Sequence, residues 1–274
     1  EPARADEHLP VRLSPWRRLT AITLVRQASL LVLLALIWQA YGVWLDNDLI
    51  LPSFSETAAA LWNGIVEGPL LLRAWISIET LLTGYAVALV LATALTLVAV
   101  ATRIGNDLLV LLTAMFNPLP AIALLPLALL WFGLGEKSII FVLVHSVLWP
   151  LALNTHAGFR GVGETLRMAG QSFGLRGARY SLKILIPAAF PSILTGLKIG
   201  WAFAWRTLIA AELVFGVSSG SGGLGWFIYE NRNALEIANV FAGLLTVILI
   251  GLAVESVVFR AVERVTVQRW GMQR

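Results

Sequence analysis

The sequence contains no cysteine, and charged side chains make up only 13% of its 274 residues. The missing cysteines exclude disulfides and thiol chemistry. The low charge excludes an ordinary water-soluble domain, in which roughly a quarter of the residues are charged. Hydrophobic residues reach 58%, so we expect an all-α, polytopic membrane protein.

Signatures of catalysis are also missing. The three histidines form no HExxH metal site, and no G-x-S-x-G nucleophile motif is present. GLGEKS at 133–138 lacks the spacing of a phosphate-binding loop, and the glycines of 216–225 lack its lysine. His145 and His156 lie eleven residues apart, too far along a helix to share a metal ion. We therefore expect neither an enzyme nor a chain with a cofactor or metal of its own.

Six apolar stretches are long enough to cross a bilayer, which takes about 20 residues per helix. They predict one transmembrane domain over 28–259, between polar segments at 1–27 and 260–274. The predicted spans are 28–45, 71–101, 108–132, 138–159, 188–214 and 237–259. The third span contains three prolines, so we expect it to be kinked and buried among helices that can bond its freed carbonyls. These are Pro118, Pro120 and Pro126.

A short helix is predicted between the first two spans. Ser53 and Glu56 have the spacing of a capping box. The apolar residues that follow share one helix face, which is typical of a helix lying in the membrane interface. They are Phe54, Ala58, Leu61, Trp62 and Ile65. Residues 102–107 are predicted to form a tight connection between spans two and three.

Basic residues are unevenly distributed along the chain. The connection 46–71 carries four acidic residues and no basic one, whereas arginines concentrate in 1–27, 160–187 and 260–274. Six spans place these three basic segments on one side of the membrane, which the positive-inside rule makes the cytoplasm. Both termini are therefore predicted to be cytoplasmic. We attribute the net charge of +4 to the basic residues that orient the chain in the membrane, and we expect no nucleic-acid partner.

The segment 163–191 lies between spans four and five and carries its own helical pattern. An apolar stripe at helical spacing consists of Leu166, Ala169, Gly170 and Phe173. Gly174 interrupts this pattern, and Pro187 marks the start of the next helix. We predict two short helices around a glycine turn, with a long loop on the membrane surface as the alternative.

The same segment resembles the cytoplasmic loop with the EAA motif in permease subunits of binding-protein-dependent ABC importers. That loop has Glu-Ala-Ala, a glycine, an isoleucine and Leu-Pro at fixed distances. The corresponding residues here are Met168, Ala169, Gly170, Gly174, Ile184, Ile186 and Pro187. Other segments resemble the branch that serves aliphatic sulfonates, taurine and nitrate. They are LPSFSET at 51–57, PLPAIALLPLALLWFGLGEKS at 118–138, PAAFPSILTGLKIG at 187–200, AAELV at 210–214 and SGGLGWFI at 221–228.

The resemblance implies a transport subunit with several partners. Two permease copies in the bacterial inner membrane would form the pathway, two ATPase subunits would bind ATP and Mg²⁺, and a periplasmic binding protein would deliver the solute. A coupling helix would enter a groove of each ATPase, with the small Gly170 permitting close approach and Gly174 forming the turn. The residues implied at this contact are Glu164, Leu166, Arg167, Met168, Ala169, Gly170, Phe173, Gly174, Arg176 and Arg179.

Polar and aromatic residues within the spans are candidates for the pathway, since burying a polar group in a bilayer is costly. They are Arg206, Trp205, Trp201, Glu212 and His145. Arg206 would attract an anion or, alternatively, pair with Glu79 or Glu255. Glu212 is expected near the outer end in a structural or gate role, and Lys198 is expected to snorkel towards the interface.

Two questions remain open from the sequence. The loop 216–225 is either a flexible linker or a re-entrant segment at the pathway mouth, and the apolar residues 226–228 favour the second. The alternative function is a secondary transporter or channel driven by an ion gradient, but the acid or histidine relays typical of such proteins are not evident. A small anion is the expected solute.

Replacement of Gly174 by valine tests the predicted turn. Glycine adopts left-handed backbone conformations that a β-branched residue resists. We expect Gly174→Val to uncouple ATP hydrolysis from transport or to block ATPase assembly while the spans stay folded, as measured by ATPase and uptake assays on the reconstituted complex. A fully active variant would contradict the position of the turn.

Overall fold

A computed structural model describes residues 23–215 and 222–269. These residues form an all-α structure without a β-strand, as predicted. The helices are α1 (Thr23–Leu45), α2 (Phe54–Val66), α3 (Leu70–Ala101), α4 (Arg103–Phe116), α5 (Leu125–Phe132), α6 (Glu136–Arg160), α7 (Glu164–Ser172), α8 (Gly177–Tyr180), α9 (Ile186–Phe215), α10 (Leu224–Asn233), α11 (Ile237–Ala253) and α12 (Arg260–Glu263). Predictions for 1–22, 216–221 and 270–274 fall outside the described residues.

Shorter helical turns join several of these helices. A 3₁₀ turn (Ala121–Leu124) precedes α5, and a π-helical turn (Ser181–Leu185) joins α8 to α9. Two further π-helical turns (Val254–Phe259 and Arg264–Gln268) flank α12 and continue α11. The last helix therefore extends to Gln268, beyond the predicted end of span six at 259.

In the part of the chain that the structure describes, five helices are long and apolar enough to cross a membrane, and α4 with α5 makes a sixth if the bent pair counts as one span. The five run Val25–Leu45, Leu70–Ala101, Glu136–Arg160, Ser181–Val214 and Ile237–Gln268. This agrees with the prediction of about six spans. A bilayer requires such continuous helices, because its core contains no water to bond a free backbone N–H or C=O.

Helices α3, α6 and α9 form the centre of the bundle and contain most of its buried side chains. Two glycines of α9 allow α6 to approach closely. A Cβ at Gly196 would lie 2.9 Å from the Cβ of Asn154, and one at Gly200 would lie 3.1 Å from a methyl group of Val147. This Gly-x-x-x-Gly spacing is a common way for helices to approach each other in membranes.

One connection and one side chain differ from the prediction. Helix α4 begins at Arg103 instead of following a connection over 102–107, because the hydroxyl of Thr102 caps it by accepting the N–H of Gly105 at 2.9 Å. Lys198 does not snorkel freely, since its Nζ donates to Glu263 at 2.9 Å. The length of the last helix, which reaches past Glu263, makes this ion pair possible.

The capping box before α2 is confirmed. The Ser53 hydroxyl accepts the N–H of Glu56 at 3.3 Å, and Glu56 Oε2 accepts the N–H of Ser53 at 2.7 Å. Hydrogen bonds from the Ser53 side chain and backbone lower the pKa of Glu56. Helix α2 thus starts at the predicted residue.

The segment 163–191 forms two short helices, α7 and α8, around a turn at Gly174, as predicted. Gly174 has a φ of +72°, in the left-handed region that favours glycine. The prediction of a new helix at Pro187 was wrong, because α8 continues through the π-helical turn into α9. A proline ring clashes with the carbonyl four residues earlier in a regular helix, and the wider π turn just before Pro187 accommodates it.

Replacement of Gly196 by isoleucine should separate α6 from α9. The added side chain has no room beside Asn154 and Leu151, so we expect a destabilisation of about 1–3 kcal/mol. Thermal unfolding of the purified full chain in detergent measures it. The control is Gly163→Ala, since no atom lies within 4 Å of a Cβ at Gly163. Equal unfolding midpoints for the two variants would contradict the close packing.

Candidate functional site

The break between α4 and α5 is the main irregularity within the bundle. The two helices are bent by 89°, which confirms the predicted kink. Helix α4 has 14 residues and is about 21 Å long, too short to cross a hydrocarbon core of about 30 Å. Pro118 and Pro120 explain the break, because each lacks an N–H to continue a helix. The expected burial of this span was wrong for α5, where Leu130 is 79% exposed.

The broken segment lines a cavity of about 370 Å³ between itself, α6 and α9. Its apolar wall includes prolines of the break and the rings of Trp149 and Phe203. The polar residues that line it are Asn117, His145, Ser146, Arg206 and Thr207. None of the lining residues is acidic. An apolar cavity with one permanent positive charge attracts anions.

Arg206 supplies that charge. Its Nε donates to the carbonyl of Ala202 at 3.1 Å, and its guanidinium carbon lies 5.5 Å from the ring centre of Phe203. Within 23–215 and 222–269, no carboxylate forms an ion pair with it. The alternative in which Glu79 or Glu255 pairs with Arg206 was therefore wrong in this structure. The remaining guanidinium N–H groups are available to a ligand.

His145 lines the same cavity as part of an aromatic cluster. Its ring lies 6.3 Å from that of Phe116 and 6.2 Å from that of Trp149, and the latter two rings stack at 5.3 Å. Both ring nitrogens of His145 are covered and have no hydrogen-bond partner among the described residues. In this conformation the histidine therefore shapes the cavity wall instead of offering a hydrogen bond.

Trp201 and Trp205 do not line the cavity. The indole N–H of Trp205 donates to the carbonyl of Val247 at 3.1 Å, which ties α9 to α11. Trp201 packs edge-on against Tyr85 and Phe259 at 5.9 and 6.3 Å. The structure places both indoles in helix packing, away from the predicted pathway face.

Glu212 is buried near the C-terminal end of α9, which is the end farther from α7. There its side chain binds the start of α10. Its carboxylate accepts the hydroxyl of Ser77 and the N–H of Gly225, each at 2.8 Å. The Ser77 oxygen in turn accepts the N–H of Leu224 at 2.8 Å. A carboxylate is favourable here because the N-terminal end of a helix carries unpaired N–H groups and a positive partial charge.

Gly223 and Gly225 are required for this contact. A Cβ at Gly223 would overlap the Glu212 carboxylate and the Ser77 hydroxyl, and one at Gly225 would lie 2.5 Å from the Cβ of Glu212. Arg73 adds a bond to the carbonyl of Gly222 at 2.7 Å. Residues 222–225 are therefore packed into the bundle and are not a flexible linker.

The residues implied at the coupling contact fall into two sets. The exposed set contains Glu164, Leu166, Met168, Ala169, Phe173, Gly174, Arg176 and Arg179. Phe173 is 84% exposed, an unusual state for a phenylalanine. The other two residues, Arg167 and Gly170, face the rest of the chain.

Arg167 and Gly170 attach α7 to the bundle. Arg167 donates to the carbonyl of Phe159 at 2.6 Å, which the end of α6 leaves free, and to the carbonyl of Val162 at 3.0 Å in the connection between α6 and α7. A Cβ at Gly170 would lie 2.8 Å from the ring of Tyr180. The small size of Gly170 thus permits a contact within the chain, where the sequence had suggested a contact with a partner.

Of the five predicted pathway residues, the structure brings only Arg206 and His145 to one cavity. The sequence did not single out the other polar and aromatic lining residues, which are Asn117, Ser146, Trp149, Phe203 and Thr207. The closely spaced prolines next to Asn117 were the available signal, because a helix break inside a membrane occurs where it lines a cavity or packs against protein. Phe203 lies three residues before Arg206, and Thr207 directly follows it. Helix packing decides that these two side chains line the cavity, so the sequence pattern alone did not indicate it.

The chain is similar to several known transport proteins. The family described as "binding-protein-dependent transport system inner membrane component" matches residues 84–267. A putative ABC transporter permease protein of Methanocaldococcus jannaschii is 34% identical over 236 residues, 85% of this chain and 87% of that protein. The putative aliphatic sulfonates transport permease protein of Escherichia coli is 30% identical, covering 88% of this chain and 86% of its own length. The nitrate import permease protein of Synechocystis is 30% identical, covering 70% and 69%.

Replacement of Glu212 by alanine should release the start of α10. The Ser77 hydroxyl and the Gly225 N–H would lose their buried acceptor, at a cost of about 1–3 kcal/mol for each group. Hydrogen–deuterium exchange over 222–233 should accelerate in this variant. Glu230→Ala is the control, because its 3.5 Å ion pair with Arg73 is half-exposed and contributes about 0–1 kcal/mol. Equal exchange in the two variants would exclude Glu212 as the anchor.

Proposed function

Because the chain belongs to the family of inner membrane components of binding-protein-dependent transport systems, we propose that it is the permease subunit of an ATP-driven importer. In this proposal the cavity beside Arg206 is part of the translocation pathway, and the solute is a small anion. The observation that carries the proposal is an arginine that has no ion-pair partner within 23–215 and 222–269 and that lies in a cavity whose described lining residues include no acid.

The size and lining of the cavity support a small anionic solute. Asn117 and Thr207 add polar groups to the lining of the same cavity, and charge-assisted hydrogen bonds are stronger than neutral ones. Two of the similar proteins are named for the transport of aliphatic sulfonates and of nitrate. Both solutes carry a singly charged group with several oxygens, so we propose a sulfonate such as taurine, nitrate or a similar anion.

Helix α7 is proposed to transmit the motion of an ATPase to this pathway. Its exposed residues, Leu166, Met168 and Phe173 among them, offer an apolar surface outside the bundle. Arg167 connects it to α6, which carries His145, and Gly170 packs on the turn that leads into α9, which carries Arg206. A displacement of α7 would therefore act on both helices that line the cavity, as expected for alternating access by movement of packed helices.

The remaining partners follow from this proposal. A second copy of the chain would complete the pathway, two ATPase subunits would bind ATP and Mg²⁺, and a periplasmic binding protein would deliver the solute. The permease itself would be non-catalytic. Basic residues cluster in 160–187 and 260–274 and in the N-terminal segment, so we propose that both termini and α7 lie on the cytoplasmic side of the inner membrane.

Replacement of Arg206 by alanine tests the pathway. We expect at least an approximately tenfold loss of uptake, since a hydrogen bond to a charged group contributes about 1.5–3 kcal/mol. Arg206→Lys keeps the charge and should retain partial activity. The measurement is uptake of labelled nitrate or sulfonate by proteoliposomes that contain the permease, its ATPase and the binding protein.

Arg232→Ala is the matched control, because this exposed arginine lies on α10, away from the cavity. Unchanged uptake by Arg206→Ala in an intact complex would remove Arg206 from the pathway. Uptake that persists after inactivation of the ATPase would instead favour a secondary transporter or a channel.

A further inference from the structure

A second cavity lies at the α7 end of the bundle, far along α6 from the first. It encloses about 230 Å³ where the end of α3, the start of α4, the end of α6 and α7 meet. Its polar lining consists of Asn106, His156, Arg160 and Arg167. None of these residues has a place in the proposed transport pathway.

The charges of this cavity are not balanced within the described part of the chain. Arg160 and Arg167 both line it, no lining residue is acidic, and neither arginine forms an ion pair with a described carboxylate. Asp107 directly follows the lining residue Asn106 in the sequence but does not line the cavity. It is exposed, and it accepts the side-chain N–H of Asn106 at 3.1 Å. The cavity therefore favours an anion.

One of the polar groups, the guanidinium of Arg167, is fixed before any ligand binds. Arg167 is held by its bonds to the carbonyls of Phe159 and Val162. These bonds use two of its five N–H groups and orient the guanidinium. Preorganised groups lose little freedom on binding a ligand.

His156 is the second observation that indicates a ligand. The residue is only 6% exposed, and none of the hydrogen bonds among the described residues involves its ring. Unlike those of His145, its ring nitrogens are not fully covered, and the residue lines the cavity. Buried polar side chains nearly always have a partner, which can be protein, water or a ligand. The cavity is the space next to His156 in which such a partner can lie.

The apolar residues around the second cavity indicate the source of its ligand. Phe159 and Leu185 give the cavity an apolar side, and the exposed Val100 and Ile104 continue it on the lipid-facing surface. Spans α3 and α6 end here, at the level expected for lipid headgroups. Basic pockets between such helix ends are suited to anionic headgroups.

We propose that this cavity binds a phosphate group, and that the phosphate belongs to the headgroup of an anionic phospholipid. Arg160, Arg167, His156 and Asn106 surround the phosphate, and the acyl chains follow the apolar surface at Val100. The bound headgroup connects α4 and α6 with α7. Free inorganic phosphate has the same chemistry, so the experiment must separate the two sources.

The first arm measures lipid retention by the full-length protein. Wild type, Arg160→Gln and Asn106→Asp are extracted from vesicles of equal parts phosphatidylglycerol and phosphatidylcholine, and native mass spectrometry counts the retained lipids. Arg160 is exposed, and aspartate nearly matches asparagine in size, so both variants should fold. We expect retention of phosphatidylglycerol to fall about tenfold in each variant, because each weakens a charge-assisted contact.

The matched control is Arg179→Gln, which removes an exposed arginine of α8 that does not line the cavity. It should retain phosphatidylglycerol like wild type.

In the second arm, inorganic phosphate is added to the detergent-purified proteins. If no protein retains the lipid, but phosphate raises the unfolding midpoint of wild type and not of Arg160→Gln, the site is a phosphate site without a lipid preference. Equal behaviour of wild type and the two cavity variants in both arms overturns the proposal.

Discussion

The bilayer's lack of water is the constraint on which this structure depends. Every backbone N–H and C=O within the hydrocarbon must bond inside the protein, so the described spans are helices. The break after Phe116 is the exception, since Pro118 and Pro120 prevent a continuous helix there. Its unpaired carbonyls are tolerable because the broken segment borders a cavity and the neighbouring α6. Pro118 and Pro120 therefore account both for the irregular backbone and for the cavity that forms the candidate pathway.

The bundle connects this cavity to the exposed helix α7 through two close contacts. Gly196 and Gly200 let α9 approach α6 without intervening side chains, and Arg167 binds the free carbonyls at the end of α6. Helices in direct contact transmit displacement to each other, because close-packed side chains leave no space between α6 and α9 at these two glycines. A partner that moves α7 would thus displace the walls of the cavity as a unit.

The sequence predicted those features that local chemistry decides. The capping box of Ser53, the turn at Gly174 and the apolar spans each depend on a few neighbouring residues, and each is present. The packing of Trp205 against Val247 and the acceptor role of Glu212 towards Ser77 depend on residues far away in the chain. No periodicity contains that information. Pro187 failed as a helix boundary for a related reason, because the π turn before it relieves the clash that a boundary would avoid.

The pairing of charges distinguishes Arg206 from Arg73 and Lys198, the two cations of the bundle that form ion pairs among the described residues. Arg73 binds Glu230 and the carbonyl of Gly222, and Lys198 binds Glu263. Each of these cations joins two helices, which accounts for its presence in an apolar protein. Arg206 bonds only within its own helix and contacts Phe203, so it joins nothing. A charge that stabilises no contact among the described residues, yet faces a cavity without acidic lining residues, supports the proposal that an anion passes it.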